Sequence, residues 1–202
     1  MMASFEFYPM LLNAYHRYLK DRSTDSETQL FNKINRIPET DPELLNKFRK
    51  GISFEAAVLK NKPHTFDPDL IKNVRSMLPA KRKEQHFVQF RHKNIRFYGF
   101  TDVLGNGRVI DLKTTSNYTE GKYAFNFQTL YLYALKEAGF KTMEYITYDF
   151  ETVYHEIYPI DQIPFNDMLK EMEEFSTFLL ENQSRITDRK IIQQISPGNL
   201  FE

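Results

Sequence analysis

The spacing of apolar residues changes period along this chain, and the changes mark its elements. Between Phe7 and Lys20, Leu11, Leu12, Tyr15, Tyr18 and Leu19 recur at helical spacing against Asn13, Arg17 and Lys20, which predicts an amphipathic helix over 7–20. The polar run DRSTDSETQ, 21–29, predicts a loop. Asp41 followed by Pro42 is a helix start; Gly51 predicts a break, and a second helical stretch from Phe54 carries Glu55. Asp67 and Pro68 repeat the start signal for a helix that Pro79 ends after Leu78.

From Gln85 the period falls to two. QHFVQFRHKNIRFYGFTDVLGNGRVIDLKTTS is rich in Phe, Val, Ile and Thr, with turn signals at His92–Asn94 and Gly105–Gly107, and reads as three successive antiparallel strands. A helix is predicted from about Tyr123 to Glu137, closed by Gly139. TMEYITYDF and TVYHEIYPI read as two more strands, IPFNDMLKEMEEFSTFLLEN as a last amphipathic helix, and the chain from Gln183 as loosely ordered. Helices, three strands, helix, two strands and a helix make an α/β fold in which a central mixed sheet is flanked by helices, here taken as one domain over 1–202.

Composition narrows the chemistry more than the fold. The 202 residues hold no cysteine, which removes disulfides, thiolate zinc sites, cysteine nucleophiles and cysteine-held iron–sulfur clusters together. A reducing, cytoplasmic setting is the expectation. No window approaches the roughly 18 apolar residues of a membrane helix, and the N-terminus lacks the basic region and cleavage site of a signal peptide. Lys plus Arg and Asp plus Glu both number 27, so any attraction for a polyanion must be local. One such region is KRKEQHFVQFRHKNIR, where Lys81, Arg82, Lys83, Arg91, Lys93 and Arg96 face a single acid, Glu84. It leads straight into the next strand pair. Arg91, Lys93 and Arg96 are the candidate nucleic-acid contacts.

The stretch GFTDVLGNGRVIDLKTT, 99–115, carries the candidate site. Alternation along the second strand puts Val109, Asp111 and Lys113 on one face and Ile110 and Leu112 on the other. A hairpin closing at Gly105–Gly107 brings Asp102 beside Asp111. Two carboxylates and an ammonium then share a small, solvent-open pocket. Such carboxylates repel unless a cation lies between them, and carboxylate oxygens with water suit Mg²⁺ or Mn²⁺. Glu55 can complete the shell directly or through a water. The five histidines show no pair at metal-ligand spacing on a shared helix.

GISFE, GFTD and VIDLKT, in that order and followed by a Gln-bearing helix, resemble the PD-(D/E)XK nuclease superfamily, and most of all its RecB-like exonuclease branch. The resemblance implies a restriction-endonuclease-like core over about 50–160. It also implies a metal held by Asp102, Asp111, Glu55 and the backbone carbonyl of Leu112, with Lys113 positioning the attacking water and Gln128 supporting the site. The family's tyrosine after that glutamine would fall at Leu132; Tyr131 and Tyr133 flank it, and Tyr131 is taken as a further nucleic-acid contact. Without cysteines the cluster-bearing form of the branch is excluded, and without a Gly-x-x-x-x-Gly-Lys loop so is a built-in helicase motor. The expectation is a metal-dependent DNA nuclease, an exonuclease of recombination, repair or phage DNA processing, freestanding or beside a separate helicase or recombination protein. Two alternatives stay open: a nuclease-fold protein that binds nucleic acid or a protein partner without cutting, and an interaction module in which Glu55 and Gln128 lie far from Asp111.

Overall fold

The computed structural model describes residues 2–195. Its elements run β1 (Met2–Phe7), α1 (Pro9–Asp21), α2 (Thr24–Ile34), α3 (Pro42–Lys60), α4 (Pro68–Met77), β2 (Lys83–His92), β3 (Ile95–Gly105) and β4 (Arg108–Thr114). Then come a 3₁₀ turn at Phe127–Thr129, α5 (Leu130–Leu135), β5 (Thr142–Tyr148), β6 (Val153–Pro159), α6 (Phe165–Glu181) and β7 (Ile192–Ile195). The strands form one mixed sheet in the order β6-β5-β4-β3-β1-β7, with β2 paired to β3 outside that path. Helices cover it, and the architecture is that of a restriction-endonuclease-like core. Among the described residues no helix is long and apolar enough to cross a membrane.

Four expectations need correction. The run 21–29 is not a loop, because Ser23 caps α2 by accepting the Ser26 N–H at 3.1 Å, and the apolar residues that anchor that helix, Leu30, Phe31 and Ile34, all come near its end. Gly51 does not break α3. A Cβ there would sit 3.3 Å from Thr114 Oγ1, so the glycine lets the helix lie close against the end of β4, and the roughly 1 kcal/mol it costs relative to alanine is tolerated. The helix expected over 123–137 starts only at Phe127 and is 3₁₀ at both ends. Of the tail read as loose, Gln183–Arg185 forms a 3₁₀ turn and β7 pairs antiparallel with β1; residues 196–202 lie outside the described residues.

β4 shows how the two layers are built. Val109 packs into a core with Phe7, Leu12, Phe97, Tyr145 and Phe175, while its neighbour Ile110 packs into a second core with Phe54, Val58, Val74 and Ile146. Alternation thus sends one residue under α1, α5 and α6 and the next under α3 and α4. β3 departs from that rule. Phe97 belongs to the first core and Val103 to the second, although six residues of regular strand would leave them on one face. The reversal falls where β2 and β3 lose a pair: Glu84 pairs with Val103 and His86 with Thr101, but Gln85 and Asp102 do not pair, and Gln85 has φ of 49°.

The other edge of β3 is divided. β1 takes Ile95–Phe97 in parallel and β4 takes Val103–Gly105 antiparallel, leaving residues 98–102 without a ladder partner on that side. This fork opens a cavity. Gly99 sits in it because a Cβ would come within 2.5 Å of Tyr131 Oη and 2.7 Å of its ring. Tyr131 is buried and packs on Phe97, so it cannot swing aside.

At the far edge, Arg108 donates from Nε and NH2 to the Glu144 carboxylate at 2.8 and 2.6 Å, and His155 Nε2 meets the same group at 2.8 Å, stitching β4, β5 and β6. Burial alone would raise the Glu144 pKa; the bonds from His155 and Arg108 outweigh it and hold the group at about 2, against 4.5 ordinarily.

Two outcomes are expected. Gly99→Ala loses about 1–3 kcal/mol in denaturant unfolding, and adding Tyr131→Leu recovers part of the loss. The Glu144 carboxylate, depressed in the folded state, stabilises fully above about 4.5 and loses that contribution as pH falls toward 2. Melting temperature therefore drops through that window in the native protein, and Glu144→Gln, about 2 kcal/mol less stable at neutral pH, flattens the drop.

Candidate active site

The cavity in the fork has a volume of about 480 Å³, and its walls include Glu55, Asp102, Asp111, Leu112, Lys113, Gln128 and Tyr131. Every residue singled out from the strand motif, the α3 glutamate and the following glutamine thus borders one space. Glu55 and Gln128 line the same cavity as Asp111, whereas the interaction-module alternative expects them far from it.

Each side chain has a local reason for its place. Continuing the β3–β4 register one step past Val103–Ile110 sets Asp102 opposite Asp111. Asp102 Oδ2 accepts the Leu112 N–H at 2.7 Å, so a side chain takes the place of a ladder carbonyl. Asp111 follows Val109 onto the first-core face of β4, and Lys113 Nζ reaches Asp111 Oδ2 at 2.5 Å. Glu55 stands one turn beyond Gly51 on α3, where close approach to β4 brings it to the cavity. Gln128 is held from α1: Asn13 Nδ2 donates to its Oε1 at 2.9 Å, while Asn13 Oδ1 accepts the Phe127 N–H at 3.0 Å.

The pocket is drier than expected. Asp111 is 5% exposed, buried rather than open to solvent, because β5 covers one side of β4 and the first core lies beneath it. Burial, then the charge of Asp111, pushes the Asp102 carboxyl up to about 8; the same two causes raise Glu55. Burial works to lower Lys113, but Asp111 and Asp102 outweigh it and keep the ammonium above its ordinary value. Three acids crowd one base. Asp111 Oδ2 is buried, and apart from the ion-pair approach of Lys113, which misses hydrogen-bond geometry, nothing satisfies it. That oxygen, met only by the Lys113 ammonium, and the neighbouring Asp102 carboxyl are hard oxygen donors of the kind a divalent ion takes. Among the described residues no three His, Cys, Asp or Glu side chains close on a single point, but Mg²⁺ keeps several waters and needs only one or two carboxylates.

Sequence reasoning missed Gln85. Its Nε2 donates to Glu55 Oε1 at 2.9 Å and to Asp102 Oδ1 at 3.2 Å, so Glu55 is joined to Asp102 through this amide. Nothing in the pattern distinguishes Gln85 from Gln89; only its left-handed backbone does. Tyr8, Met10, Arg36, Tyr98 and Phe100 also line the cavity and were not foreseen.

The basic residues divide. Lys93, at the β2–β3 turn, is tied to Glu173 of α6 at 2.5 Å, and Arg96 to Glu6 at 3.0 Å. Arg91 is exposed and makes no ion pair with a described residue. Tyr131, taken from the sequence as a nucleic-acid contact, lines the cavity but is buried, with its hydroxyl against Gly99. Burial, then Asp111, raises its pKa.

No family model matches the chain, and no curated protein matches it significantly. Among solved structures, SSO0001 is similar at 15% identity and a TM-score of 0.45, over 90% of this chain and 79% of that one. A Eubacterium rectale protein described as a "Putative exonuclease" aligns at 10% identity and TM-score 0.42, over 93% and 77%. Scheffersomyces stipitis Rai1 aligns at 13% identity and TM-score 0.37, over 90% and 62%. All three are distant.

Proposed function

We propose that the protein is a metal-dependent nuclease that hydrolyses phosphodiester bonds in DNA, acting as an exonuclease. The observation that carries this reading is the convergence on one cavity of Glu55, Asp102, Asp111, Lys113 and Gln128, supplied by α3, β3, β4 and the turn before α5. Asp102 and Asp111 would hold Mg²⁺ or Mn²⁺ with the Leu112 carbonyl, and Glu55 would act from the Gln85 side. The bound ion supplies Lewis acidity toward a phosphoryl oxygen and a lowered pKa for a coordinated water.

The chain's own groups divide the remaining work. The Lys113 ammonium, with three donors and no acceptor, orients a water or donates to the phosphoryl oxygen as charge grows there. Asp111, beside it, fixes where that ammonium can point. The Gln128 oxygen is taken by Asn13, and no described residue takes its NH2, which leaves two donors for substrate oxygens. Leu112 is pinned through its N–H to Asp102, so strand and carboxylate move as one body. A separate helicase or recombination protein would supply strand opening, and DNA processing in a reducing compartment is the setting this reading proposes.

Purified protein incubated with labelled single- and double-stranded DNA is expected to shorten it with Mg²⁺ or Mn²⁺ and not with chelator; DNA left intact with both ions while still bound would overturn the reading. Asp111→Asn keeps the volume and removes a charge the metal needs, so calorimetry should show weakened Mg²⁺ binding together with lost cleavage. Lys113→Met keeps most of the stem and loses the ammonium: metal binding survives and turnover falls by about 10²-fold or more.

A further inference from the structure

The outer face of the β2–β3 pair carries an aromatic strip that runs into the cavity. Phe87 stands opposite Phe100, Gln89 opposite Tyr98, and Arg91 opposite Arg96. The residues between them, Val88, Phe90 and Phe97, turn the other way and pack into the first core. Phe100 is 56% exposed and Phe87 39%, their rings meeting edge to face with centroids 5.2 Å apart. The Arg96 guanidinium lies 5.5 Å over the Tyr98 ring, and its Nε donates to Gln89 Oε1 at 2.9 Å. Tyr98 and Phe100 also belong to the cavity wall, next to Asp102. Packing does not explain why two large rings are left in water on a strand pair whose opposite side is well buried.

We infer that this strip is a stacking platform for a single-stranded nucleic acid whose backbone enters the fork. Three features favour that occupant. A phenyl face in water stacks an unpaired base, whereas bases within a duplex already stack on one another and offer it no free face. The far end of the strip carries one uncompensated cation, Arg91, which makes no ion pair among the described residues and stands opposite the Glu6-paired Arg96, and its charge complements a phosphate chain. The near end leads to Asp111, which is recessed at 5% exposure; a flexible single strand can turn a phosphate inward to that depth, and a stiff duplex cannot. The inference rests on the cavity being a phosphodiester site and adds the strand type that it takes.

The test uses the intact protein in chelator, with fluorescence anisotropy of a short labelled oligothymidylate and of a hairpin duplex of equal length. The single strand should bind at least about tenfold tighter. Phe100→Ala and Phe87→Ala should each weaken single-strand binding about tenfold and narrow the gap between single-strand and duplex affinity, since both side chains are exposed and their removal disturbs no core. Phe100→Tyr should bind like the parent and Phe100→Leu like the alanine variant, separating a π face from mere apolar area. Equal affinity for duplex and single strand overturns the inference, as does a Phe87→Ala/Phe100→Ala double variant that binds oligothymidylate like the parent, or Phe100→Leu binding like Phe100→Tyr. Because no metal is present, failure here counts against the strip and not against hydrolysis, which turnover tests.

Discussion

The site depends on one hydrogen bond, from the Leu112 N–H to a carboxylate oxygen of Asp102. An unpaired N–H inside a sheet is costly, so a strand that leaves its ladder must find another acceptor. Here the acceptor is an acidic side chain on the strand it leaves. β4 can therefore part from β3 after Val103–Ile110 without an orphaned donor, the fork can stay open, and Asp102 is fixed beside Asp111 by the bond that permits the opening. Backbone satisfaction and placement of the candidate ligands are a single event.

The electrostatics carry the cost of that arrangement. Burial raises the ionisation cost of Asp102 and Glu55, and the charge of Asp111 adds to it. Lys113 offsets part of this. Gln85 offers Glu55 and Asp102 a shared donor from a strained backbone position, at the place where β2 and β3 miss a pair without a shift of register and β3 changes face. Strain, missing pairing and crowded charge coincide there, as expected where the demands of a site override the regular geometry of a sheet.

What was legible in the sequence follows from the range of the forces involved. The β2–β3–β4 meander could be read because alternation and glycine turns are local signals. So could the convergence of Asp102 on Asp111, since a hairpin with a known turn fixes its own register. Gly51 was legible as a glycine but not in its role, because the reason for it is Thr114, more than sixty residues away. α2 was masked by its polar first turn, although Ser23 is a good cap. β1 escaped notice since Phe5 and Phe7 alternate over too few residues to outweigh the helical pattern that follows, and β1 becomes a strand only because β3 and β7 flank it. Gln85 could not be found at all: its importance lies in a backbone angle and a gap in pairing, and neither has a compositional signature.

The placement of β1 bears on the order in which the molecule assembles. Phe5 pairs with Ile95 and also with Ile192, so the strand nearest the start of the chain is held between partners that come one half and nearly the whole of the chain later. Contacts so distant in sequence close slowly, because each must first overcome a large loss of chain entropy. The meander and its hairpin contacts can form early from local pairings. Tyr8, Pro9 and Met10, which continue directly from β1 into the cavity wall, take their positions only when that strand is seated. Asp102 and Asp111 thus rest on short-range hairpin contacts, whereas this part of the wall around them waits on the longest-range pairings of the fold.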